Sequence, residues 1–442
     1  MRASARPLRQ PGFPQLAGAY LVNELGNWLG EIALAVVVFD LTGSPLATAG
    51  LFVAMQFLPA LIAPALVARI DHVHARRVLP ALYAAEAVAF GVLAVLVGIG
   101  DAALPALLAL AALDGTLAST ARSITRATAA ATLRPSGMLR EGNAILNVGF
   151  TAGAAAGPAL GGLVVAGAGS QVALVADAVS FLLVAGLLLT ARQLPQPDAG
   201  AAGISWGERL RAGVRYVTTR PALRGLLAAQ AVAFVFFSLV IPIEVVFVKE
   251  TLGEGDLGYG LLLSSWGAGM VAGSFLFASL RRVSLPALLV VSTTAIGAAY
   301  IGIAVSPTLG VACAASALGG IGNGVQWVAL VTAVQELTGP AYQARVISLL
   351  EALASAMPGL GFLAGGAIAA LLSPRVSYAV AGAGVLVVLG AAILILRTID
   401  WRAVERGAPE DERPAASANG GHHVSPRQPD RLAPETSIWR LP

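Results

Sequence analysis

The chain has 442 residues, of which 57% are hydrophobic and only 12% charged, with a mean hydropathy of +0.78. Soluble domains carry about 25% charged residues, so a water-soluble globule and a largely disordered chain are both excluded, and the single cysteine, Cys313, excludes a disulfide scaffold. The formal net charge of +4 comes from arginines spread in short runs between apolar stretches, with Lys249 the only lysine; this pattern excludes a nucleic-acid patch and leaves a polytopic membrane protein.

A helix needs about 20 mainly apolar residues to cross the hydrocarbon core. Twelve stretches meet that length, at 16–39, 46–68, 78–99, 103–125, 143–168, 171–191, 223–247, 258–280, 285–305, 308–334, 346–372 and 376–396. They are too long, and too free of period-two alternation, to be strands. The first begins like a signal peptide, but Asn23, Glu24 and Glu31 interrupt it, so it is read as a retained helix. Residues 193–222 part six spans from six. From Ser205 to Thr219 they place Trp206, Leu210, Val214 and Val217 on one helical face, which predicts an amphipathic helix on the inner membrane surface. Residues 397–442 are rich in Pro, Gly, Ala and charge and are read as a disordered tail. The predicted organisation is a six-helix bundle over 1–192, a linker over 193–222, a second bundle over 223–396 and the tail.

The arginines orient this map. With the N-terminus in the cytoplasm, every basic residue except Lys249 and Arg375 falls in a cytoplasmic segment or its flank. That bias predicts a multi-pass protein with both termini inside. The fifth and eleventh spans also look alike. Each starts just after an arginine (Arg140, Arg345) and ends in a glycine pair, Gly161-Gly162 and Gly365-Gly366. The same ordinal position in each half points to an internal duplication, as in certain secondary transporters.

Ionisable groups inside a bilayer are costly and are functional candidates. Glu24, Glu31, Glu86, Asp114, Asp177, Glu244 and Glu351 fall within spans. Glu24, Asn27 and Glu31 share one helical face, as do Asp114, Ala118 and Arg122. Polar or aromatic residues at mid-span depth (Asn27, Gln56, Asn147, Gln230, Phe234, Gln326 and Trp327) are the candidate substrate-binding set. No nucleotide-binding loop is present, and all four histidines lie in a loop or the tail without a matched nucleophile, so no enzyme, metal site or cofactor is expected.

The segment Gly153-x-x-x-Gly157-Pro158-x-x-Gly161-Gly162 resembles the antiporter motif of the fifth helix in facilitator-type exporters. Leu25-Gly26-Asn27-Trp28 is similar to a first-helix element with asparagine in place of its acid, and Leu41-Thr42-Gly43-Ser44 to the turn that follows. Asp71-His72-x-His74-x-Arg76-Arg77 resembles the superfamily's cytoplasmic loop, with Val67 replacing a glycine and His72 an arginine. Ser119-Thr120-Ala121-Arg122 keeps the arginine but loses the acid of the fourth-helix pattern. Gly322-Asn323-Gly324 is similar to the tenth helix. Together these resemble the major facilitator superfamily, and within it the bacterial exporter branch of the enterobactin exporter and macrolide efflux proteins.

The resemblance implies twelve transmembrane helices in two pseudo-symmetric six-helix bundles around a central cavity lined by the first and fourth spans. It implies a monomeric inner-membrane exporter of drug-, macrolide- or siderophore-like molecules, driven by the proton gradient through alternating access. Desolvation disfavours a carboxylate's charge. Glu31 and Asp114 are therefore the expected proton carriers, with Glu24 next and Arg122 as the electrostatic partner of Asp114. Asp71, Arg76 and Arg77 would help latch one conformation. An importer or facilitator of the same fold, or a non-transporting membrane sensor, are the alternatives.

Overall fold

The computed structural model describes residues 6–70, 73–100, 102–191, 194–195, 206–280, 283–339 and 342–397. With no water in the hydrocarbon core, backbone groups must pair within their own segment, so long apolar runs form helices. Among the described residues, twelve helices are long and apolar enough to span: Phe13–Thr42, Pro45–Ile70, Ala75–Gly98, Leu104–Ser136, Leu139–Ala168, Ser170–Thr190, Pro221–Thr251, Asp256–Ser279, Leu285–Ala304, Leu309–Glu336, Arg345–Leu371 and Pro374–Leu394. All twelve expected spans are present, but several run longer than their apolar core. The fourth continues past 125 to Ser136, because its backbone bonds do not stop where hydropathy does. Starts and stops follow local chemistry. Gly43, at φ 57°, ends the first span, and Ser44 caps the second by accepting from the Ala47 amide at 3.2 Å ahead of Pro45.

Two spans depart from regular helix. The second contains a π-helical turn over Val53–Phe57. The seventh, expected as one plain helix, is α-helical over Pro221–Ser238, breaks into a 3-10 turn at Ile241–Ile243, and resumes at Glu244. Pro242 explains the break, since it has no amide hydrogen to donate to the helix.

Packing repeats between the halves. The first span lies against the fifth and sixth, the second against the fourth, and the third against the fourth and sixth. The seventh, eighth and ninth make the corresponding contacts with the eleventh and twelfth, the tenth, and the tenth and twelfth. Across the middle, the fifth span meets the eighth and the second meets the eleventh. The glycine pairs predicted from the duplication occupy equivalent places. A Cβ on Gly162 would lie 2.8 Å from the Asp256 carbonyl oxygen of the eighth span, and one on Gly366 would lie 3.0 Å from the Pro45 carbonyl oxygen of the second. Without side chains there, the backbones of opposite halves touch.

The linker helix, Trp206–Thr218, is present but docks differently from the membrane-surface reading. Tyr216 and Val217 are buried against the second half, Tyr216 stacks on Tyr342 at 4.2 Å, and its hydroxyl accepts from the Gly339 amide at 2.9 Å. Val214 is left exposed. Periodicity identifies an apolar face, but here protein covers its Tyr216–Val217 edge. The side chains of Trp206 and Leu210, and the tail beyond 397, lie outside the described residues.

Candidate functional site: a one-sided central cavity

A cavity of about 1250 Å³ lies between the halves. Its walls are the middle and one end of the spans. The second span lines it from Met55 to Ala68, the fourth from Asp114 to Ser123, and the first from Glu24 to Glu31. In each case the wall runs toward the end that carries Arg69, Arg76, Arg77, Arg134 and Arg140, where the cavity opens. At the other end the two glycine crossings close it. Burial agrees: one continuous core joins the first half to the far end of the second, through Val240, Phe247, Tyr259 and Tyr378. A separate core holds the arginine-rich end of the second half.

An ion-pair bridge also crosses the sealed end. Lys249, at the end of the seventh span, lies 2.6 Å from Asp40 on the first span and 2.8 Å from Asp256 at the start of the eighth. The chain's only lysine thus ties one half to the other.

Four carboxylates line the cavity: Glu24, Glu31, Asp114 and Glu244. Arg122 lines it too, but it does not pair with Asp114. Its Nε lies 4.0 Å from Glu24 Oε1. Asp114 and Arg122 share a helix face yet stand eight residues, about 12 Å, apart along the axis, whereas Glu24 sits on the neighbouring first span near the arginine. Asp114 Oδ1 is buried without a hydrogen-bond partner. Behind the wall, Glu86 and Asp177 are both fully buried. Neither oxygen of Glu86 is hydrogen-bonded, and Asp177 accepts from Ser180 at 3.0 Å beside Gly26 and Gly30. Sequence reading noted these two as charges within spans without ranking them for the site. Their place in the middle of apolar runs was the available signal.

Of the seven candidate substrate residues, Asn27, Gln56, Phe234, Gln326 and Trp327 line the cavity. Gln56 does so from within the π-helical turn. Gln230 and Asn147 do not. Gln230 is buried behind the wall, where its Oε1 accepts from Gln326 at 3.4 Å. Asn147 is exposed, one turn nearer the mouth than Phe150, beyond the enclosed part of the cavity. The structure adds aromatic residues that the sequence reading did not select: Trp28, Phe237, Trp266 and Tyr300. Trp28 falls on the Glu24–Glu31 face and was legible by spacing; the others were not.

The glycine-proline segment forms the seam. Gly153, Gly157 and Gly161 rest on Glu24, Trp28 and Ile32 of the first span, and Gly162 rests on the eighth. Pro158 interrupts the helix bonding, and the following amide, of Ala159, donates to Ser264 Oγ on the eighth span at 2.7 Å. Arg76 and Arg77 are exposed at the start of the third span; Asp71 lies outside the described residues.

Residues 2–417 match the model of a family described as Transmembrane secretion effector. The chain belongs to this major facilitator family. Comparison with curated protein sequences gave no match. Among solved structures, the nucleoside transporter NupG is similar over 87% of this chain and 99% of that one, at 11% identity and a TM-score of 0.69. A POT family transporter in complex with a thioalcohol-conjugated peptide is similar over 88% and 96%, at 12% identity and a TM-score of 0.70. A bacterial homologue of the human lysosomal transporter Spinster, inward-facing and occupied, is similar over 88% and 96%, at 16% identity and a TM-score of 0.66. Such identities establish the fold. The chain is therefore a multi-pass membrane transporter of two six-helix bundles, and its paired 5–8 and 2–11 crossings are two of the contacts between them.

Proposed function

We propose that this transporter exports amphipathic small molecules by proton antiport, as a monomer in a bacterial inner membrane with both termini in the cytoplasm. The observation that carries this reading is the place of the glycine-proline segment. It lies in the seam that must part for release, resting on the first span and crossing the eighth. The family description as a secretion effector supports the same direction.

In this reading the arginine-rich mouth faces the cytoplasm. Cargo enters there and meets the mixed polar and aromatic wall. Rocking of the halves closes the mouth, parts the 5–8 and 2–11 crossings and breaks the Lys249 bridge. Cargo leaves outward, and protons taken up by Glu31 and Asp114 return the empty carrier. The proton gradient is the energy source and no bound cofactor takes part. Glu24 holds Arg122 near the mouth, where the pair responds to the protonation of its neighbours. Asp71, Arg76 and Arg77 would bear on the mouth-closed state.

The test uses proteoliposomes with an internal pH dye and an imposed proton gradient, challenged with lipophilic cations, macrolides and siderophores. Cargo-dependent proton movement opposite to the cargo supports antiport export. Proton movement in the same direction as the cargo, or cargo crossing without protons, replaces it with uptake or facilitated diffusion.

A further inference from the structure

The sealed end of the cavity differs in charge from its mouth. Near the mouth, Glu24 faces Arg122. At the sealed end, Glu31 of the first half and Glu244 of the second line the same space. Arg122 is the only basic residue in that lining, and it stands beside Glu24 near the mouth. The two basic residues beyond the sealed end are engaged elsewhere. Lys249 is held by Asp40 and Asp256, and Arg375 donates to the Ala304 carbonyl at 2.6 Å. Among the described residues, Glu244 forms no ion pair.

Aromatic rings line the same space as the two carboxylates. Trp266 stacks on Tyr300 with ring centres 5.4 Å apart, and Phe237 meets Tyr300 edge-on at 6.1 Å. The Tyr300 hydroxyl is committed to the Phe237 carbonyl at 3.2 Å. Its ring, like that of Trp266, lines the cavity with Glu244, and Trp28 lines it one turn from Glu31. Carboxylates framed by aromatic faces form the chemistry that holds an organic cation, by charge and by the ring quadrupole together. An anionic cargo would meet two carboxylates and no uncommitted cation.

We propose that the sealed end binds an organic cation with apolar or aromatic substituents, its charge between Glu31 and Glu244 and its body against Trp28, Trp266 and Tyr300. This rests on reading the cavity as the cargo site, and it narrows that cargo by excluding anionic siderophores. Because the two carboxylates come from opposite halves, the bound cation bridges them. Because Glu31 also carries a proton, cargo and proton exclude one another there.

The test measures equilibrium binding of tetraphenylphosphonium and of tetraphenylborate, which has the same shape and the opposite charge. The full-length protein is held in lipid nanodiscs, with empty discs as the blank. Saturable binding of the cation is expected, at least about tenfold tighter than the anion. Glu244→Gln should weaken the cation by about tenfold or more, while Glu244→Asp should stay within about threefold. Monodisperse elution and an unchanged thermal midpoint show that each variant is folded. Equal binding of both ions, no saturable cation binding, or cation binding by folded Glu244→Gln at the unmodified affinity would each overturn the site. Proton-driven efflux separates this from the export reading. Cation binding without cation efflux keeps the site and removes export. Efflux of a neutral or anionic cargo unaffected by Glu244→Gln, with no cation binding, removes the site and keeps export.

Discussion

At the scale of single residues, the cavity is defined by which carboxylates it shows and which it hides. Glu31 and Asp114 line the space and are the groups proposed to carry protons, whereas Glu86 and Asp177 are fully buried outside the lining. Glu31→Gln or Asp114→Asn is expected to reduce cargo-dependent proton movement by at least about tenfold, the effect of removing a positioned acid–base group, with expression unchanged. The internal pH dye reads this directly, and normal coupling in both variants would take these groups out of the mechanism. Spacing on a helix was enough to put Glu24, Asn27 and Glu31 on one face, and all three line the cavity. It was not enough to pair Arg122. A face shared along one helix says nothing of what the neighbouring helix offers, and that neighbour supplied Glu24.

At the scale of the element, the fifth span shows how sequence and contact divide the work. Its glycines and Pro158 announce a helix that packs closely and bonds irregularly. Which residues it packs against follows only from the assembled bundle. A Cβ on Gly157 would lie 2.8 Å from the Trp28 Cβ, too close for the first and fifth spans to stay together. Gly157→Leu should therefore abolish transport in proteoliposomes while the protein still inserts, and full activity would discredit the seam. Ser264→Ala removes the acceptor for the Ala159 amide. A hydrogen bond contributes about 0.5–1.5 kcal/mol net, so this variant should lower the thermal midpoint in detergent. An unchanged midpoint would show that the bond across the seam contributes nothing to the sealed state. The seventh span gives the converse lesson. Pro242 was in plain view, yet a long apolar run reads as one helix until the break is seen to deliver Glu244 to the cavity.

At the scale of the whole molecule, the sealed end is held by two backbone crossings, an apolar core shared by both halves and one ionic bridge. Lys249→Met removes the bridge and leaves Asp40 and Asp256 facing each other without their cation. The equilibrium should move toward the state open at that end by about 1–2 kcal/mol, or roughly five- to thirtyfold in population. Spin labels at Leu41 and Glu254, both exposed at that end, in a Cys313→Ala background, would report this as a longer distance. An unchanged distance distribution would assign the closure to the glycine crossings and the apolar core, without the bridge.

The number of spans, their break into six and six, and the arginine-rich loop end were determined by the sequence by itself. Those features depend on hydropathy and on charge, which are sums along a chain. The internal duplication was legible for the same reason, since Gly161-Gly162 and Gly365-Gly366 recur at equal depth in matching helices. Only the tertiary structure decided that Arg122 meets Glu24, that Tyr216 docks the linker helix on protein, that Lys249 bridges the halves and that Glu31 and Glu244 line one cavity. Each of these joins residues on different helices. Such a pairing depends on how the helices are rotated and crossed, which close packing of small residues sets and no one-dimensional period encodes.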